Sequence, residues 1–506
     1  MKLQLGMPFE EHMVLKQNVT IPVWGTSVRN DTITICIGDK TYTTYTENGE
    51  WQIDLPAMPA SFKARMEVSS KRTGETIIMN DVAIGEVILA GGQSNMEFIL
   101  KYDESLEEAL KYEDDHDLRC FTVPQSSFVG FLEKQPTPDW GYWRTFEDSE
   151  DRKQFSAVAC HLGLALRKKL NVPVGIISCN WGGTPATAWI DHDSILANPA
   201  LKPVLDWQDN ADKSTAWESY IKTAFVRTPE PSEEMKAFNE KFMMGEDMSE
   251  FFKAGPPPMD PTIYSPYLPG PLSCIRPASL YENMLCKVAP YPVSFIIWWQ
   301  GEDDDARDWV DFYDESMYTL IRSWRKLFNE ELAFFQVELA PFKGIGPTGA
   351  KHYDVMRHKQ FEATSRLDKA YDICILDAGE EFNIHPRHKK IVGERLANYV
   401  FKYVYDIDVN ADCPLFEKAV KDGNRIILSF ANTYGAIEIS DKLKNYLEVE
   451  CDGKSVDYVA YIEDDRLILE GDFKGKISIR YCEANYCEAS IFNAEHNPLF
   501  GFTAVI

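Results

Sequence analysis

No stretch of this chain is apolar for long enough to cross a bilayer as a helix, which leaves no candidate helical membrane span. Cationic residues are scarce: Lys and Arg total 52 against 79 Asp and Glu, a formal net charge of −27 over 506 residues. A phosphate backbone or an anionic bilayer is held by surplus Lys and Arg, so neither nucleic acid nor a membrane surface is an expected partner. An anionic small molecule would need a local cationic pocket. Cysteine occurs 11 times but never as Cys-x-x-Cys, so neither a zinc ribbon nor a disulfide framework is indicated. No metal and no other cofactor is expected. The opening residues, Met1 to Pro8, lack the apolar core of a signal peptide, and with free thiols this sets the expectation of a reducing cytoplasm. Internal repeats and low-complexity tracts are also missing.

What is present is enough apolar side chain (44%) and enough length for two to four domains. Residues 1–80 read as all-β. Thr32 to Ile37 alternates with period two, and Asn48-Gly49 stands as a hairpin turn between Tyr42–Tyr45 and Trp51–Leu55. From 81 to 405 strands alternate with helices, the pattern of a three-layer α/β/α domain on a mostly parallel sheet. Ser156 to Leu170 places Val158, Leu162 and Leu166 on one helical face and ends in Arg167-Lys168-Lys169, cations at the negative end of the helix dipole. Strands are expected at Val87–Ala90, Val174–Ser178, Val293–Trp299, Ala333–Val337 and Tyr371–Leu376, and a last helix over Lys389–Tyr403. Residues 195–270, polar and then Pro-rich at Gly255–Pro258 and Tyr264–Pro269, read as an insertion, either over the active face or as a passive surface excursion. Residues 406–506 return to short strands and turns and form a second sandwich-like β segment. Whether the two β segments pack together, and whether the chain is a homo-oligomer, stays open.

The chain is organised around Val87-Ile88-Leu89-Ala90-Gly91-Gly92-Gln93-Ser94-Asn95-Met96-Glu97. Four apolar residues suit a strand covered on both faces, and two glycines then deliver Ser94 at its carboxyl end, where open α/β sheets bind ligands. Three other strand ends carry Gly182-Gly183, Gln300-Gly301-Glu302 and His385. Ser, His, a carboxylate and close amides are the parts of acyl transfer: a serine is a poor nucleophile until a base takes its proton, and the oxyanion needs preorganised donors. Ser94 is the candidate nucleophile and His385 the base. The Ser94 amide, the Gly182 or Gly183 amide and the Gln300 side chain are candidate oxyanion donors. Trp181, Trp189 and Trp299 are either core or aromatic platforms for a ligand, with one of the three expected to face substrate. Gln93, Asn95 and Arg276 are expected at the substrate; Arg276 and Arg307 either meet an anionic or polyhydroxyl ligand or form surface ion pairs. Asp303-Asp304-Asp305 reads as a solvated helix start and not as a cation site, and His388 has no companion ligand motif.

Gly92-Gln93-Ser94-Asn95-Met96, Trp181-Gly182-Gly183-Thr184, Trp298-Trp299-Gln300-Gly301-Glu302 and His385-Pro386, in this order, resemble the sialate O-acetylesterase-like family of SGNH serine hydrolases. Met13-Val14-Leu15, Arg276-Pro277-Ala278, Ile479-Arg480-Tyr481 and Phe492-Asn493 extend the likeness over most of the chain. The resemblance implies a flavodoxin-like hydrolase domain with flanking β domains. It also implies metal-free removal of O-acetyl groups from sugars, sialic acid or hemicellulose oligosaccharides, through an acyl-serine. One departure stands out. Where many such hydrolases carry an acid three residues before the histidine, this chain has Phe382. Glu302 resembles the glutamate of the Gln-Gly-Glu block that serves as the acid in some related carbohydrate esterases, so the resemblance implies it as the partner of His385, with Asp377, Glu380, Glu381 or no carboxylate as alternatives. A lipid esterase or thioesterase on the same fold, and an inactive sugar-binding protein, are the rival readings.

Overall fold

The computed structural model describes residues 2–130, 141–224, 232–246, 267–328, 331–344 and 349–506. Its central sheet has seven strands: β1 (Thr76–Gly92), β2 (Asp115–Thr122), β3 (Trp143–Phe146), β4 (Val174–Asn180), β5 (Phe295–Trp299), β6 (Phe334–Val337) and β7 (Ala370–Ile373). The spatial order is β3-β2-β4-β1-β5-β6-β7. All neighbours are parallel except the edge strand β3. Period two governs the burial. Val87 and Leu89 of β1, with Ile296 and Trp298 of β5, join one core. Ile88 and Ala90, with Phe295, Ile297 and Trp299, join the other.

Each face is covered by a pair of helices. We label the helices used below α1 (Ser94–Glu97), α2 (Ala157–Leu170), α3 (Glu233–Met243), α4 (Glu302–Ala306), α5 (Tyr313–Phe328), α6 (Tyr353–Ser365) and α7 (Lys389–Tyr403). Val158, Leu162 and Leu166 of α2 pack into one core with Val392, Leu396 and Val400 of α7. Leu320, Ile321 and Trp324 of α5 and Met356 and Ala363 of α6 fill the other. The α2 sequence explains its bounds. Ser156 accepts a hydrogen bond from the Ala159 amide, a cap worth about 1 kcal/mol, and Asn171 closes the helix in the left-handed conformation.

The N-terminal β segment shares the core of the α5/α6 face, and the C-terminal segment shares that of the α2/α7 face. β1 itself crosses the boundary expected at residue 80. Its first half pairs with Ser61–Ser70 and Val14–Lys16, its second with β4 and β5, so one strand of 17 residues belongs to both units. The Asn48-Gly49 hairpin turn forms, with Glu47 and Glu50 bonded both ways across it, but the pairing of its longer arms is corrected. Lys40–Tyr45 pairs with Thr32–Ile37, whereas Glu50–Leu55 pairs with Ile21–Thr26 in a different sheet. The turn reverses the chain, but beyond Glu47 and Glu50 its two arms pair in different sheets.

Candidate active site

β1 lies between β4 and β5, and the chain crosses from it to both sides of the sheet, which makes its carboxyl end a switch point. Gly92 sits there with φ +140°, and a Cβ on it would lie 2.2 Å from the Trp299 carbonyl oxygen. Only glycine fits so close to β5. Ser94 follows as the first residue of α1, half-buried, its turn closed by the Met96 and Glu97 amides on the Gln93 carbonyl.

The residue that assembles the site is Asn95, 1% exposed. Its Nδ2 donates to Glu302 Oε1 and to the Ile384 carbonyl (3.0 Å), the residue before His385. Its Oδ1 accepts from Lys389 Nζ. One amide thus ties the serine turn to α4, to the histidine loop and to the start of α7. Asn95 was expected to touch substrate; its side chain is fully used inside the protein. His385 is buried, its amide held by Asn383 Oδ1 at 3.0 Å, its ring edge-on to Phe242 at 5.2 Å and tilted against Phe98 at 6.5 Å. Two buried side-chain atoms here have no hydrogen-bond partner among the described residues: His385 Nδ1 and Glu302 Oε2.

Burial, and secondarily the charge of Lys389, depress the His385 pKa to about 3, so the imidazole is neutral over the physiological range. Burial lowers Lys389 to about 7 and raises the Glu302 carboxyl. Lys389, under which the rings of Trp299 (4.2 Å) and Phe98 (4.8 Å) lie, escaped the sequence reading. A lysine opening a helix looks like solvated surface until the fold buries it.

The His385 shift has a consequence for stability. Between pH 6.5 and about 3 the unfolded chain binds a proton that the folded chain refuses, so folding weakens as pH falls through that window. His385→Asn should flatten this dependence by up to about 1.4 kcal/mol per pH unit relative to wild type. Denaturant midpoints at pH 4, 5 and 6 check it; parallel curves for the two proteins contradict it.

The other acids proposed for His385 are spent. Asp377 makes a two-pronged ion pair with Arg395 (2.9 and 2.7 Å). Glu380 accepts from the Arg387 amide (2.7 Å) and Asn383 Nδ2 (3.1 Å), and Glu381 from Lys343 Nζ (2.9 Å).

Two oxyanion assignments are corrected. Gln300 is 0% exposed, donates both amide protons to the Thr184 carbonyl and Asp304, and accepts from the Tyr313 hydroxyl. It braces the β5 turn and has no donor to offer. The Gly182 amide donates to Glu97 Oε2 at 2.6 Å. Glu97, whose carboxyl is raised by burial, also takes Gln125 Nε2 at 3.0 Å. It clamps the Gly182 loop against α1 so closely that a Cβ on Gly182 would lie 3.1 Å from Ser94 Cβ. Glu97 closes the Gly-Gln-Ser-Asn-Met-Glu block, which is the one signal that pointed to it. The Ser94 and Gly183 amides have no partner among the described residues. Gly183 needs its left-handed φ of +66°, and a Cβ on it would press on the Tyr267 ring at 3.3 Å.

Several expected substrate contacts are likewise structural. Trp189 and Trp299 are 0% exposed and Trp181 4%, so all three are core rather than platforms. Trp189 stands edge-on to Trp298, and its carbonyl accepts from the Trp324 indole. Gln93 is buried and turns its side-chain oxygen to the Asp303 amide. Arg276 pairs with Glu282 (2.6 Å) and Arg307 with Asp303. The acidic run is not a solvated helix start: Asp304 and Asp305 are buried, Asp305 receiving the Lys351 and His352 amides at 2.9 and 2.7 Å. A polar loop segment can pull carboxylates inward when it supplies them with amide donors.

From the insertion, α3 lies over the site. Phe242 meets His385, and Glu240 takes Lys101 Nζ (2.7 Å) and the Tyr102 hydroxyl (3.1 Å). The Gly255–Pro258 and Tyr264–Pro266 signals lie outside the described residues.

Comparison with known proteins places the chain beside carbohydrate esterases. The family model "carbohydrate esterase, sialic acid-specific acetylesterase" matches residues 268–401, which include Glu302 and His385 but not Ser94. A sialate O-acetylesterase from Rattus norvegicus is 22% identical over 434 residues, 76% of this chain and 71% of the relative. The Homo sapiens sialate O-acetylesterase is 26% identical over 199 residues, 37% of this chain and 38% of the relative. The crystal structure of a carbohydrate acetylesterase from Xanthomonas citri superposes with a TM-score of 0.73 at 24% identity, over 99% of both chains. That likeness establishes a mixed α/β sheet with added β segments as a fold this chain shares.

Proposed function

We propose, from the premise that this chain is a relative of the sialic acid-specific acetylesterases among the carbohydrate esterases, that it is a carboxylic ester hydrolase removing O-acetyl groups from sugars. The observation that carries the site is the Asn95 amide, which gathers the Ser94 turn, Glu302 and the His385 loop at the carboxyl edge of β1. Without β2 and β3, the strand order is that of a flavodoxin-like sheet, which supports assigning the domain to the SGNH hydrolases.

In the proposed reaction Ser94 Oγ attacks the acetyl carbonyl as its proton passes to neutral His385 Nε2. The oxyanion is received by the Ser94 and Gly183 amides. Collapse expels the sugar hydroxyl, protonated by His385, and leaves acetyl-Ser94. Water then attacks with His385 as base, and acetate departs. Glu302 stabilises the imidazolium from the Nδ1 side. The unpartnered Nδ1 and Oε2 are a matching donor and acceptor, and catalytic hydrogen bonds often close only in the substrate complex.

Arg276 and Arg307, the cations considered for a sialic acid carboxylate, are each neutralised by their own acid, which favours uncharged acetylated oligosaccharides. The 11 free thiols, most of them buried, support placing the protein in a reducing compartment. Acetate release from acetylated xylo- and manno-oligosaccharides should exceed release from O-acetylated sialic acid. The reverse order contradicts the substrate class, and faster cleavage of octanoyl than acetyl esters contradicts the sugar-esterase reading itself.

A further inference from the structure

We propose that His12, Asp81 and His116 form a binding site for a zinc-type divalent cation, remote from the esterase site. The three residues come from three places in the fold: His12 from the loop before Val14–Lys16, Asp81 from the first half of β1, and His116 from β2. Each presents one ligand atom, and the three atoms lie within 4.8 Å of one another. Asp81 Oδ2 is the hub, 2.6 Å from His12 Nδ1 and 2.7 Å from His116 Nε2. Two imidazole nitrogens and one carboxylate oxygen are the donor set that suits Zn²⁺, which takes three protein ligands and completes a tetrahedron with water. With bonds of about 2.0–2.2 Å, tetrahedral donors stand roughly 3.3–3.5 Å apart. Opening the observed contacts by less than about 1 Å therefore makes room for the ion.

The surroundings are those of ligands held in place. His116 Nδ1, the nitrogen that faces away from Asp81, is engaged by the Glu147 carboxylate. A carboxylate on the second nitrogen of a metal-binding histidine fixes its tautomer and raises its basicity. The other oxygen of Asp81 is held by the fully buried Arg119 guanidinium at 3.1 Å, leaving Oδ2 to face the histidines. Asp117, 3.7 Å from Arg119, offsets part of that positive charge. His12 holds a left-handed φ of +68°, uncommon for a residue with a side chain, and its amide donates to the Asp81 carbonyl at 2.9 Å. Both rings are about 40% exposed, so an ion can enter from solvent.

Sequence spacing hides the site, because the ligands are 69 and 35 residues apart. It is also far from Ser94: 11 residues of one strand, 82–92, run from Asp81 to the turn that carries Ser94, roughly 35 Å at the usual rise. The bound ion would clamp the N-terminal β segment onto the central sheet rather than take part in ester cleavage.

The test uses untagged full-length chain, stripped with a chelator and titrated with Co²⁺ alone, read by its visible absorption. Zn²⁺ competition and the melting temperature complete it. Wild type and Ser94→Ala should each take up one Co²⁺, release it to Zn²⁺ and melt higher with Zn²⁺ present. The His12→Gln/His116→Gln double variant should bind at least about tenfold more weakly and lose the zinc-dependent shift. His12→Gln alone, changing only a half-exposed side chain, should weaken binding and serves if the double variant does not fold. Absence of saturable Co²⁺ uptake by wild type, or unchanged uptake by the histidine variants, overturns the proposal.

Discussion

Ser94→Ala should lower acetate release by about 10⁴-fold or more while leaving the melting temperature close to wild type. Loss of a nucleophile that acts together with its base costs factors of this size, and the remaining activity reflects binding and oxyanion stabilisation only. The fold should tolerate the change. The Ser94 hydroxyl makes no hydrogen bond among the described residues, and its turn is closed by backbone groups that alanine keeps. His385→Asn in the same background should add little further loss, because the two act as one unit. Residual release within tenfold of wild type in Ser94→Ala would remove the acyl-serine mechanism.

The second large effect separates Glu302 from the other acids. Glu302→Gln should cut turnover by about 10³–10⁴-fold, the scale seen when a carboxylate that orients a histidine becomes an amide. Glutamine can still accept from Asn95 through Oε1, so the strut survives and the loss is electrostatic. Asp377→Asn should behave in the opposite way. It leaves the Arg395 guanidinium, 4% exposed at its side chain, without its counter-ion. Breaking such a pair costs about 3–5 kcal/mol of stability while the chemical step is untouched. Glu380→Gln should change neither strongly. Measuring kcat and denaturant midpoints on all three variants decides the matter. Small and equal losses of kcat would point to a dyad working without a carboxylate.

The contrast between what was readable and what was not follows one physical line. The α7 helix falls on Lys389–Tyr403 as its apolar spacing requires, and α2 begins behind the Ser156 cap. Strands ending in Gly-Gly-Gln-Ser and Trp-Trp-Gln-Gly-Glu converge on one edge because parallel α/β units always bring carboxyl ends together. These are local properties: period, cap and turn chemistry act within a few residues. The roles within the site are not local. Gln300 carries an amide that looks free to bind an oxyanion, yet Thr184, 116 positions away, takes one of its protons. Asn95 looks like a substrate contact, but its partners Glu302 and Lys389 are 207 and 294 positions away. The tryptophans read as platforms until packing against α5 and α7 closes over them.

Read alone, then, the sequence determined the alternation of strands and helices, the four chemical blocks and the esterase family they resemble. The tertiary structure alone decided which amides remain open, which carboxylate keeps an oxygen without a hydrogen bond, that a lysine is buried beside the histidine, and that two histidines meet Asp81. A hydrogen-bonding group has few bonds to give, and what it gives them to depends on neighbours that only folding supplies.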